Sequence, residues 1–174
     1  EPFARYWLHA EHLVVEGEKM AKSKGNFFTL RDLLDQGHDP LAIRYLLISV
    51  PYRQKLNFTM DGLHAAAQAI DRITNTLRRL ANTPPADGPG DLALETVGEF
   101  TREYRDALAD DLNTARALGA LHTLLRQINT ALDGNGISDL VRPALDDAFA
   151  QVAAVLDIIP TGDDTGGADD EIQR

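Results

Sequence analysis

The 174-residue chain contains no cysteine. It therefore has no disulfide framework and no thiolate metal site, which suits a cytosolic protein. It also lacks any run approaching the roughly eighteen apolar residues that a membrane-spanning helix needs, and no secretory or transit signal opens it. Positive charge is scarce: 17 Lys and Arg stand against 27 Asp and Glu, a net charge of −10. That balance argues at first against a nucleic-acid partner, because phosphate binding is driven by cationic groups. Hydrophobic residues make up 44% and charged residues 25%, so a chain of this length can bury its own core as one domain, or as one small domain with an appendage.

The few positive charges are unevenly placed. Residues 19–55 hold seven Lys or Arg against Asp32, Asp35 and Asp39, a local charge of +4, while residues 56–174 carry −11. The centre of the basic segment is Lys19-Met20-Ala21-Lys22-Ser23-Lys24-Gly25-Asn26. Three lysines, a hydroxyl and a Gly-Asn pair that tolerates φ > 0 can aim ammonium groups and free backbone amides at one anion, phosphate above all. From local chemistry alone the same residues also read as a solvated basic turn between two elements.

Around this loop the residues predict mostly helix. Phe3–His9 is an aromatic-rich short helix or turn, and His12–Val15 a brief buried strand leading into a turn at Gly17. His9 and His12 stand three apart with Glu16 nearby, but two His without a third placed ligand more often pack or face solvent, and no metal is assigned. Thr29 caps a short helix with Asp32 at its third position and Gly37 at its end. Asp39-Pro40 opens a second helix whose apolar residues at 43, 46, 47 and 50, widened by Leu41, Ala42 and Ile48, make it nearly buried until Pro51 stops it. From Thr59 onward four long amphipathic stripes follow. The first holds residues 63, 66, 70, 73, 77 and 80, the second Val97, Phe100, Tyr104 and Leu108. The third holds Leu118, Leu121, Leu125, Ile128 and Leu132, the fourth Leu145, Ala148, Val152, Val155 and Leu156. Asn82–Gly90, with three prolines and two glycines, reads as a linker. Asp110-Asp111-Leu112-Asn113-Thr114 reads as helix-start chemistry, its acids complementing the helix dipole. Thr161–Arg174, rich in Gly and Asp and nearly devoid of apolar residues, reads as a disordered acidic tail.

The expected fold is therefore mainly α: a short strand, the loop and a small helical unit over residues 1–57, then an antiparallel four-helix bundle over 58–160, then the tail at 161–174.

A longer pattern bears on function. Phe3-Ala4-Arg5-Tyr6-Trp7-Leu8-His9, His12-Leu13-Val14-Val15, the lysine loop, Phe27-Phe28-Thr29-Leu30-Arg31-Asp32-Leu33-Leu34, Asp39-Pro40-Leu41-Ala42-Ile43-Arg44-Tyr45 and Tyr52-Arg53-Gln54-Lys55-Leu56-Asn57-Phe58 occur in order. This series closely resembles the segment of cysteinyl-tRNA synthetases that carries the KMSKS signature of class I aminoacyl-tRNA synthetases, and the likeness runs on through Asp110–Thr114 to about Pro160. The resemblance implies a loop that closes on ATP, with Lys22 touching the nucleotide, Lys19 as its partner and Ser23 as an additional hydrogen bonder. It further implies a stem-contact fold in which Arg31, Arg53 and Lys55 could meet the tRNA for cysteine, and a helical domain set against the anticodon stem. Two residues depart from the family pattern: Ala21 stands where Ser is usual, and Lys24 where an apolar residue is commoner.

The resemblance places such a protein in the cytoplasm with ATP and Mg as its cofactors, and with no membrane partner. The second class I signature, HIGH, and the family's zinc site of two Cys with His and Glu have no counterpart here, so by itself the chain is not expected to activate cysteine. An N-terminal catalytic half would be its partner. Two other readings stay open. One is a truncated synthetase-like module that binds RNA or protein without catalysis; the other is a relative that joins cysteine to an amino sugar.

Overall fold

The computed structural model describes residues 3–21, 23 and 25–160. Lys22, Lys24 and the expected acidic tail at 161–174 lie outside the described residues. The molecule is mainly helical with a small sheet. Strand β1 (Val14–Val15) pairs antiparallel with β2 (Glu18–Lys19) and parallel with a third strand, β3 (Asn57–Phe58), giving the order β2-β1-β3. The tight β1–β2 turn puts both Glu16 and Gly17 at positive φ, and the Gly17 N–H donates to the Asn57 side chain at 2.8 Å. The parallel pairing extends beyond the formal strands, with the Glu11 amide donating to the Tyr52 carbonyl and the Val14 amide to that of Leu56.

Helix α1 (Leu30–Asp35) starts on a reciprocal cap: the Thr29 hydroxyl accepts from the Asp32 amide while the Asp32 carboxylate accepts from the Thr29 amide at 2.7 Å. Helix α2 (Pro40–Ile48) starts on Asp39 with proline in its first turn, where no intrahelical bond is forfeited. Helices α3 (Met60–Asn82), α4 (Leu94–Ala109), α5 (Thr114–Asp133) and α6 (Arg142–Leu156) complete the chain. Thr59 and Asn113 cap α3 and α5 with their side chains. Among the described residues no helix is long and apolar enough to cross a membrane.

Two apolar cores form. The smaller gathers Val15, Leu33, Ala42, Ile43, Leu46 and Phe58 around Leu63 and Ala66 of α3. The larger draws Ile70, Ile73 and Leu80 of α3 together with buried residues of α4, α5 and α6. One helix, α3, thus serves both, and the unit that carries the lysine loop is anchored on the same rod as the helical domain.

Several expectations need correction. Of the short helix or turn expected over Phe3–His9, no helix forms and the chain bends at Phe3 and Arg5; Phe3, Tyr6 and Trp7 are exposed, and the rings stack on one another, Phe3 on Trp7 and Trp7 on His9. Leu47 of α2 and Val155 of α6 are 49% and 58% exposed, so each falls off its helix's buried face. Residues 82–90 are not a loose linker. The Ala86 amide donates to the Ile137 carbonyl, the Asp91 amide to that of Gly136, and the Arg142 guanidinium holds the carbonyls of Leu80 and Thr83. That strap satisfies backbone groups that the end of α3 leaves orphaned.

Candidate functional site

The lysine loop leaves the sheet at β2 and returns at Asn26, and the side chain of Asn26 closes it. Asn26 Oδ1 accepts from the Ala21 amide at 2.9 Å while Asn26 Nδ2 donates to the Lys19 carbonyl at 3.3 Å. One amide group thus ties the returning chain back to the end of β2, and Gly25 sits at φ +68° just before it. On either side of the loop Met20 and Phe28 are packed against the smaller core, so the base is fixed by burial while Lys19 and Ser23 face solvent. Next to it an apolar hollow of about 190 Å³ opens between Met20, Phe28, Leu33, Ile43 and Phe58.

The expected RNA-facing residues do not form one patch. Arg31 is exposed on α1 and makes no hydrogen bond or ion pair among the described residues. Lys55 is exposed in the segment entering β3. Lys19 sits on β2 at the opposite edge of the sheet, two strand spacings or about 10 Å away. Arg53 points elsewhere: its guanidinium forks onto the Asp111 carboxylate at 2.5 and 3.3 Å, Tyr52 Oη donates to the same carboxylate at 2.7 Å, and the Arg53 charge lies 5.0 Å from the Tyr52 ring. Arg53 first, and then Tyr52, hold the Asp111 carboxyl below its usual range. The turn that presents Asp111 is forced, since Asp111 and Leu112 both adopt positive φ. Asp111 is therefore no helix cap; that role falls to Asn113, whose side chain accepts from the Arg116 amide.

Two features escaped sequence reasoning. Tyr45 Oη on α2 meets His122 Nε2 on α5 at 2.6 Å, joining the loop-bearing unit to the helical domain. Burial pushes the His122 ring below its ordinary value, and the nearby charge of Arg72 adds to this. A groove of about 320 Å³ also runs between α3 and α5, lined by Arg72, Arg79 and Arg126 together with Asn and Thr side chains. The only prior signal for either was polar residues placed off the apolar stripes, which alone does not tell a lined groove from a solvated face. Among the described residues, no three His, Asp or Glu side chains gather into a metal site.

Family models place this geometry. The model described as "tRNA synthetases class I (C) catalytic domain" matches residues 1–68, covering the sheet, the loop and the start of α3. The DALR domain model matches residues 103–159. A protein of Solibacter usitatus named Cysteine--tRNA ligase is 44% identical over 157 residues, 90% of this chain and 34% of that protein. The chain is a homologue of the cysteine–tRNA ligases. A ligase of the same name from Koribacter versatilis is 48% identical over 135 residues, and one from Brachyspira hyodysenteriae 41% identical over 165 residues, 94% of this chain. The chain spans about a third of the length of these ligases. In fold it is similar to the protein in the ternary complex of Agrobacterium radiobacter K84 agnB2 LeuRS with tRNA and LeuAMS, with a TM-score of 0.63 at 19% identity over 83% of this chain and 20% of that one.

Proposed function

We propose that this chain supplies the ATP-contacting loop and the tRNA-facing helices of a cysteine–tRNA ligase, an enzyme that attaches cysteine to its tRNA in the cytoplasm. The observation that carries the reading is the Asn26 staple, which roots a lysine-rich loop in the sheet yet leaves Lys19 and Ser23 exposed. In the proposed reaction the cysteine carboxylate attacks the α-phosphate of ATP and pyrophosphate leaves. Lys22 is the lysine that meets the departing phosphates, with Lys19 beside it and Ser23 as a further hydrogen-bond donor. Such contacts strengthen as charge builds on the leaving group, so they act on rate more than on ground-state affinity.

Magnesium would come with ATP, since this ion is held in large part by substrate phosphates. The family's zinc does not fit this chain, which has no cysteine to hold it. Residues 1–57 act as the end of the catalytic domain, and α3–α6 form an antiparallel four-helix bundle that lies against the tRNA. Arg31 and Lys55 are placed to meet phosphates, and Arg53 joins them only when it leaves Asp111. Alone the chain is not catalytically sufficient; it requires the half that binds the adenosine and the cysteine.

A graft tests this. Residues 1–160 replace the matching segment of the Solibacter usitatus ligase, and ATP–pyrophosphate exchange is measured with and without Lys22→Ala. The expected result is exchange that depends on cysteine, with the rate constant cut roughly 10²–10³-fold by Lys22→Ala. An active graft indifferent to Lys22→Ala defeats the assignment and favours a loop without a catalytic role.

A further inference from the structure

We propose that Asp111 and Asp157 are positioning residues, two carboxylates on left-handed turns of the helical domain that take Arg53 and Arg44 of the loop-bearing unit and so set the angle between the two units. Their effect on the reaction rests on the reading of the chain as part of a cysteine–tRNA ligase; the clasp itself rests on geometry alone.

Three observations carry it. The first is where backbone strain falls. Among the described residues four other than glycine adopt positive φ, and three of them belong to the helical domain: Asp111 at +53°, Leu112 at +55° and Asp157 at +52°. A residue with a Cβ holds that conformation at a cost, and it persists where the surroundings over-determine it. Glycine, which the chain places at five other positive-φ positions, would remove the cost. Both aspartates of the set instead reach the other unit. Asp111, in the turn between α4 and α5, takes the Arg53 fork at 2.5 and 3.3 Å and the Tyr52 hydroxyl at 2.7 Å. Asp157, which ends α6, lies 3.4 Å from Arg44 on α2.

The second observation is the kind of contact these ties supplement. Leu41, Tyr45 and Ile48 of α2 pack against the larger core. Apolar contact is non-directional, so by itself it lets α2 rock on the helical domain. Ties at the α4–α5 turn, at the end of α6 and at His122 on α5 add direction to it, and a guanidinium fork on a carboxylate adds the most.

The third is exposure. The four charged side chains are between 50% and 70% exposed, and ion pairs so exposed contribute little to stability. Strain retained for ties that stabilise little points to geometry as what they supply.

The chain has no cysteine, so Gln36→Cys at the end of α1 and Ala150→Cys on the exposed side of α6 can carry two spin labels. Double electron–electron resonance on the 174-residue chain then reads the spread of distances between the units. For Asp111→Gly/Asp157→Gly the expected result is a distribution roughly twice as wide as that of the parent chain, with a thermal midpoint within about 2 °C of it. Arg44→Gln/Arg53→Gln, which leaves both turns as they are, should widen it equally. An unchanged width in both pairs overturns the clasp. In the Solibacter usitatus ligase carrying residues 1–160, the Gly pair should leave ATP–pyrophosphate exchange within about twofold and lower kcat for aminoacylation roughly tenfold or more, the scale of a small misplacement. KM for tRNA should not rise, because Arg53 is set free. Exchange and aminoacylation falling together, or a raised KM at intact kcat, overturns the positioning role. A graft without exchange, beside a chain whose distribution widens, defeats the proposed function and leaves the clasp standing.

Discussion

Tyr45→Phe removes one oxygen from the joint between the loop-bearing unit and the helical domain. The hydroxyl lies 2.6 Å from His122 Nε2, and both side chains are half-buried. A neutral hydrogen bond of this kind is worth about 0.5–1.5 kcal/mol net. Water reaches part of the site, so the vacated His122 nitrogen is rehydrated rather than stranded and the cost should fall near 1 kcal/mol. With an unfolding entropy of about 2 cal/mol/K per residue, a domain of this size loses roughly 3 °C of Tm for that change.

The joint also makes stability depend on pH. Burial first, and the Arg72 charge second, lower the His122 value in the folded state, so between that value and the unfolded one near 6.5 the unfolded chain binds the proton more readily. The contribution of His122 is therefore whole above about pH 6.5 and drains away as the pH falls towards the lower folded value. Urea melts at pH 8 and pH 5.5 measure both effects, with His122→Gln as the variant lacking the titrating group. Tyr45→Phe should be less stable than wild type at pH 8, and His122→Gln should lose less stability than wild type between the two pH values. A Tyr45→Phe midpoint equal to wild type, together with an unchanged pH response in His122→Gln, would refute the reasoning.

Asn26→Ala frees the Ala21 amide and the Lys19 carbonyl, so amide exchange at Ala21 should accelerate several-fold, as expected for one lost bond of about 1 kcal/mol, while Tm barely moves; unchanged exchange would mean that Asn26 does not close the loop. Gly90 sits at φ +68°, and a Cβ there would lie 2.6 Å from the Gly136 carbonyl oxygen and 3.0 Å from the Ser138 amide. Gly90→Ala must therefore break the strap to Ile137, and urea melts should show a loss of about 2–3 kcal/mol; a loss under about 0.5 kcal/mol would show that the strap yields freely. Asp111→Asn removes a carboxylate whose folded value is depressed by Arg53, a contribution present above the unfolded value and lost as pH falls through the folded one. Its acid-unfolding curve, followed by circular dichroism, should show a weaker pH dependence at the acid end, and an unaltered curve would mean that the pair contributes nothing.

Much of the helical part was legible because its causes are local. Thr29, Asp39 and Thr59 each accept an amide within the next turn, so the residue type at the boundary is already the reason for the boundary. The long stripes were readable because one face of each helix is dry. Ala107, Ala117 and Ala131 are as deeply buried as the leucines, yet small residues stand out in no apolar pattern; they mark where neighbouring backbones come close. The sheet was only partly legible. A strand of two residues has no periodicity to detect, and β3 meets β1 from more than forty positions away, in a pairing that depends on α1 and α2 folding between them. The role of Asp111 was hidden for a related reason: near a helix start an acid reads as a complement to the helix dipole, and only the tertiary structure brings Arg53 within reach of it. Gly25-Asn26 announced a turn correctly, but that the Asn side chain would reach back across the loop to Ala21 is a fact of the closed structure.

The charge pattern determines how such a chain could meet RNA. A body at −10 repels a polyanion from a distance, and at physiological salt that field fades beyond about 8 Å. On the proposed reading, attraction operates where guanidinium and ammonium groups come within that range of a phosphate, as on the +4 segment around the lysine loop and along the groove between α3 and α5, whose lining holds no carboxylate. Acidic surface elsewhere raises the cost of wrong approaches, so the same excess of Asp and Glu that argued against a nucleic-acid partner acts to restrict orientation. Both basic surfaces are tied to α3, since the smaller core closes on its first turns and the groove follows its middle. An RNA strand that meets both would thus be held at a set distance from the loop, with Tyr45 and His122 in the joint that sets it.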